Sequence, residues 1–88
     1  MKLRGEFVVR QVMDNIVAVP IGKLALQFNG MILLNDVSKV IWNCLSRETE
    51  LETIVTALTD AFEVSEEEAR EDILDFLDKL RQMQLLEE

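Results

Sequence analysis

The hydrophobic period of this chain changes at one point. Before Leu34 apolar residues alternate with polar ones or form short β-branched runs; after Asn35 they recur every three to four residues. Alternation places successive side chains on opposite faces of a strand, whereas a 3.6-residue period lines one face of a helix. Strands segregated from helices in this way predict an α+β fold, a small antiparallel sheet followed by three helices. Phe7, Val9 and Gln11 fall on one side of a first strand and Val8, Arg10 and Val12 on the other. Asp14-Asn15 is the predicted turn and Ile16 to Ile21 the return strand, closed by Pro20 and Gly22. Leu24, Leu26 and Phe28 also alternate, which predicts extended chain, and Asn29-Gly30 is a turn dipeptide ahead of a third strand, Met31 to Leu34.

Three helices are predicted after it. Asn35 or Asp36 caps the first, whose apolar face is Val37, Val40, Ile41, Cys44 and Leu45, with Trp42 off its centre. Thr49 and Glu52 have the spacing of a capping box ahead of Leu51, Ile54, Val55, Leu58, Ala61 and Phe62. Ser65 and Glu68 repeat that spacing before the third helix, which presents Ala69, Ile73, Phe76, Leu77 and Leu80, with Leu74 and Met83 on opposite flanks. No linker or internal repeat divides residues 1–88, and 88 residues suit a single domain. An apolar fraction of 49% is enough for one core and argues against disorder.

Composition excludes much chemistry. The chain has no histidine, so the commonest general base is absent and Cys44 lacks the usual activating partner. A single cysteine makes neither a metal cluster nor an internal disulfide, and the three glycines are too scattered to cradle a phosphate. The expectation is therefore a non-enzymatic protein with no cofactor and no metal. A net charge of -8 repels a nucleic-acid backbone and favours partners carrying local positive charge. No apolar run approaches the ~20 residues of a membrane span and no secretory signal is visible, so a cytoplasmic location is expected.

Two features leave a choice open. Both alternating sets of the third strand, Met31 with Leu33 and Ile32 with Leu34, are apolar. Either the strand is covered on both faces, or it is an edge that offers unpaired main-chain groups beside an apolar surface. The stripe of the third helix is likewise wider than one core contact requires, so one flank either extends the core or lines a groove. An extended peptide fits the second alternative by adding a strand.

From Leu34-Asn35 onward the chain resembles the PqqD (pyrroloquinoline-quinone biosynthesis protein D) family. The residues that carry the resemblance are Leu34-Asn35, Ile41-Trp42, Thr49, the helix from Leu51 with Ile54, Val55 and Leu58, and Phe62 with Val64. The final helix with Ile73, Phe76-Leu77, Leu80 and Leu85-Leu86 completes them, and Phe7 and Val19-Pro20-Ile21-Gly22 fit the pattern more weakly. Ser38 and Gln84 stand where the family often has glycine. The resemblance implies a winged-helix-like fold, a three-stranded antiparallel sheet followed by a three-helix bundle, and a non-enzymatic peptide chaperone. In that family the leader of a ribosomally made precursor joins the third strand, in the cleft against the third helix. Carried over, the edge is Met31, Ile32, Leu33 and Leu34, and the wall is Asp72, Ile73, Asp75, Phe76, Lys79, Leu80 and Met83. The implied partner is a modifying enzyme, often a radical S-adenosylmethionine maturase.

Two other functions compete. A winged helix also suits a DNA-binding regulator, but the third helix opens with Glu66-Glu67-Glu68 and continues through Glu71-Asp72, which opposes phosphate contact. A docking scaffold that binds an enzyme but no leader is the third reading.

Overall fold

The change of period at Asn35 is where the chain turns from sheet to helix. A computed structural model describes residues 1–28 and 30–88, so Asn29 of the expected Asn29-Gly30 turn lies outside the described residues. The elements are β1 (Lys2–Leu3), β2 (Glu6–Val12), β3 (Asn15–Ile21), α1 (Leu24–Gln27), β4 (Ile32–Leu34), α2 (Asp36–Cys44), α3 (Leu51–Ala61), α4 (Glu66–Gln82) and β5 (Leu86–Glu87). The main sheet is antiparallel in the order β2-β3-β4, and α2, α3 and α4 are the three expected helices.

Across this sheet Val9, Ala18 and Ile32 pair in one row, and Ile16 pairs with Leu34 in another. Ala18, Ile32 and Leu34 face the helices and are buried there with Ile41, Ile54, Leu58, Ile73 and Leu77. Leu33 points to the opposite face beside Val17 and Arg10 and is 67% exposed. Trp42 lies at the centre of the packing rather than at its margin. It is 3% exposed because Phe7 from β2 and Phe76 from α4 cover it edge-on, with ring centroids 4.9 and 6.4 Å away.

Several local expectations change. The β2–β3 turn is Met13-Asp14, one residue earlier than predicted: Val12 pairs with Asn15, and Met13 takes the left-handed conformation at φ 57°. Leu24 to Gln27 form a short helix instead of extended chain. Gly22, at φ +64°, turns the strand, and Phe28 N–H closes onto the Leu24 carbonyl at 2.8 Å. Leu24 and Phe28 pack on the core while Leu26 is 89% exposed. The Thr49–Glu52 box does not form, because α3 is capped by Glu50 without a side-chain bond. Thr49 is buried, its N–H donating to the Met1 carbonyl, and Glu52 pairs with Arg70 of α4 instead. Ser65 does cap α4, accepting from Glu68 N–H at 3.1 Å.

A second, two-stranded sheet joins the chain's ends, with Lys2 opposite Glu87 and Leu3 opposite Leu86. Its return strand follows a tight stop to α4. Gln84 adopts φ 60°, its N–H donates to Arg81, and Leu85 N–H reaches back to Leu80, both at 2.9 Å. This is a Schellman motif with glutamine at the left-handed position, sealed by the buried Leu80 and Leu85. No helix among the described residues is long and apolar enough to cross a membrane.

Candidate functional site

β4 is the edge of its sheet: on one side it pairs with β3, and on the other it meets no strand among the described residues. Beside that edge runs a groove whose far wall is α4 and whose floor is the start of α2. It consists of two adjoining depressions. One, of ≈ 350 Å³, is lined by Met31, Ile32, Leu33, Phe76 and Met83. The other, of ≈ 290 Å³, is lined by Val37, Ile41, Asp72, Asp75 and Phe76. Asn35, Ser38 and Lys79 line both, so the two are continuous.

The rotation of α4 creates this wall. Ala69, Ile73, Leu77 and Leu80 are at most 1% exposed and lock one face of the helix against the core. Asp72, Phe76, Lys79 and Met83 follow at intervals of four, three and four residues, so they form a single adjacent stripe. Asp75 flanks that stripe. Leu74, 44% exposed, lies on the opposite flank and lines a different depression with Glu66, Glu67, Arg70 and Glu71.

Of the expected residues, Met31, Ile32, Leu33, Asp72, Asp75, Phe76, Lys79 and Met83 therefore meet in one groove. Leu34, Ile73 and Leu80 do not line it. They are 6%, 0% and 0% exposed, in the core. Both faces of β4 are apolar, yet only one is covered, since Met31 and Leu33 are 60% and 67% exposed. The edge alternative thus describes β4 better than the fully covered one.

Asn35, Val37, Ser38 and Ile41 also line the groove, which the sequence did not indicate. The available signal was Asn35 with Ser38 three residues on, a reciprocal cap. Asn35 Oδ1 accepts from Ser38 N–H and Ser38 Oγ accepts from Asn35 N–H, each at 2.8 Å. Ser38 thus supplies half of the joint that fixes β4 against α2.

The groove is electrically uneven. Asp72 and Asp75 lie at one end, Met31 and Met83 at the other, and Lys79 between them. None of the three charged residues belongs to an ion pair among the described residues. Cys44 lies elsewhere, in a depression with Val40, Arg47, Glu48 and Thr53, and burial pushes its thiol pKa up, away from the reactive thiolate. No group of three potential metal-ligating side chains occurs among the described residues.

Residues 15–86 match the model of the family described as coenzyme PQQ synthesis protein D (PqqD), a span that contains the whole groove. A solved structure, TbiB1 in complex with the TbiA(beta) leader peptide, is similar at a TM-score of 0.76 and 29% identity. The similarity covers 99% of this chain and 95% of that one, so it also takes in β1 and β2. No curated protein matches the chain.

Proposed function

The chain belongs to the PqqD family, and from that premise we propose that it binds the leader segment of a ribosomally made precursor peptide and holds it for a modifying enzyme. The observation that carries this reading is the edge of β4, which meets no second strand among the described residues, beside the apolar wall of Phe76 and Met83. An extended leader laid along that edge gains main-chain hydrogen bonds that β4 leaves unmade. Its side chains then alternate, one set entering the groove and the other lying beside Leu33 on the outer face. The similarity to TbiB1, solved with a leader peptide, supports the same ligand class.

The mechanism is positional. Once the leader is held, the core peptide attached to it meets the enzyme at an effective concentration set by the connecting segment. The chemistry belongs to the enzyme, for which a radical S-adenosylmethionine maturase is the family's common choice. The domain itself contributes no catalytic group on this reading. It acts in the cytoplasm, where precursor peptides are synthesised.

The test is a backbone-amide NMR titration of the labelled protein with leader peptides from precursor genes neighbouring its own. Shifts concentrated at Met31 to Leu34 and along the Asp72–Met83 stripe are expected. Saturable binding that leaves those amides unmoved, or enzyme binding with no leader binding at all, would overturn the proposal.

A further inference from the structure

If the groove takes an extended leader, its uneven lining bears on which leader it takes. The point midway between Asp72 and Asp75 lies about nine to ten helical residues from Met83, or ~14 Å at 1.5 Å per residue. An extended peptide rises ~3.3 Å per residue, so the same distance spans about four of its residues. Side chains four positions apart share one face of a strand, which matches the two ends of the groove. These are the two aspartates and the Met31–Met83 end, with Phe76 lining both depressions between them.

We propose that the groove selects leaders bearing a lysine or arginine at one position and an apolar residue four positions away. The inference rests on the leader-binding reading. The cation sits against Asp72 and Asp75, whose carboxylates are not engaged by an ion pair among the described residues. The apolar side chain four positions on enters between Met31 and Met83. Lys79 lies one helical turn from both Asp75 and Met83, where it repels a cation placed nearer the apolar end. It therefore confines the basic residue to the aspartate end, and charge sets the register that main-chain pairing alone leaves free.

A random twelve-residue peptide library, displayed on its encoding messenger RNA and selected on the immobilised protein, tests this directly. Three proteins are compared at physiological salt: the wild type, Asp72→Asn/Asp75→Asn in the groove, and Glu66→Gln/Glu67→Gln outside it, each variant removing two negative charges. Wild type and the outer variant are expected to enrich the basic–x–x–x–apolar pattern. The groove variant is expected to keep the apolar position, lose the basic one, and bind the wild-type winners ~2- to 5-fold more weakly. Enrichment of apolar residues alone on all three would overturn the charge inference and leave the groove reading intact. A basic preference that survives in the groove variant but fails in the outer one assigns the effect to general surface charge and also overturns it. No enrichment above blank resin would remove both readings.

Discussion

Gln84 is a residue whose replacement should strengthen the protein. It holds φ 60°, a left-handed conformation that costs an L-residue ~1–2 kcal/mol and glycine nothing comparable. Its side chain is exposed and appears in no hydrogen bond among the described residues, so Gln84→Gly removes no contact. Against the gain stands glycine's greater freedom in the unfolded chain, worth ~0.4–1 kcal/mol. The difference is a net stabilisation of ~0.5–1 kcal/mol. For 88 residues the unfolding entropy is about 185 cal/mol/K, so the midpoint should rise by ~3–5 °C. Thermal unfolding followed by circular dichroism measures this, with Gln84→Ala as control. Alanine pays the same left-handed penalty and should bring no comparable rise. A glycine variant no more stable than the parent, or an alanine variant that gains as much, would show that the backbone conformation is not the source of strain.

Adjacent residues of β4 should separate binding from folding. Ile32→Ala, at 8% exposure in the core, is expected to lose ~2–4 kcal/mol of stability in a denaturant melt. Leu33→Ala should change stability by no more than ~0.5 kcal/mol, yet weaken a bound leader ~2- to 5-fold by calorimetry, through one lost cross-strand pair. Asn35→Ala removes one partner of the reciprocal cap and should cost ~1 kcal/mol, with amide shifts centred on the β4–α2 joint. The Arg70 guanidinium holds the Glu52 carboxyl below its ordinary 4.5. That contribution is present above the unfolded value and lost as pH falls through the lower folded one. Glu52→Gln should therefore flatten the acid limb of the stability profile, and an unchanged limb would show that solvent screens the pair completely.

Local chemistry made the α+β division legible. The Asn35 and Ser65 caps, the pairing of residues 6–12 with 15–21 and the buried faces of the helices follow from period and cap residues. The misses share a cause in patterns that admit two structures. Leu24, Leu26 and Phe28 alternate, but Leu24 and Phe28 are also one helical turn apart, and packing on the core decided between them. Thr49 and Glu52 fit a box, yet Thr49 is held by the backbone of Met1, just ahead of β1, a contact 48 residues away in sequence. The β1 and β5 strands are two residues each and exist only by pairing with one another. For the site, β4 and one flank of α4 were readable with help from the family resemblance. The period of α4 already set Ile73 and Leu80 on the buried face and Met83 on a flank, as the structure has them. The wall carried over from the family resemblance drew Ile73 and Leu80 into the groove, because a family position marks the helix and not which of its faces is packed. The part played by Asn35 and Ser38 in the groove stayed hidden because Asn35 read only as a cap and Ser38 only as a departure from the family's glycine.

The edge-on stack of Phe7, Trp42 and Phe76 has a practical consequence. Trp42 is the chain's single tryptophan, so emission excited at the red edge comes from one known place. That indole is shielded from water, and the ring 6.4 Å from it forms part of the groove lining. A peptide that shifts Phe76 alters the indole's surroundings directly, whereas one that attaches to the acidic outer face of α4 does not. The protein thus carries its own optical probe, able to distinguish occupation of the groove from adhesion elsewhere without any label.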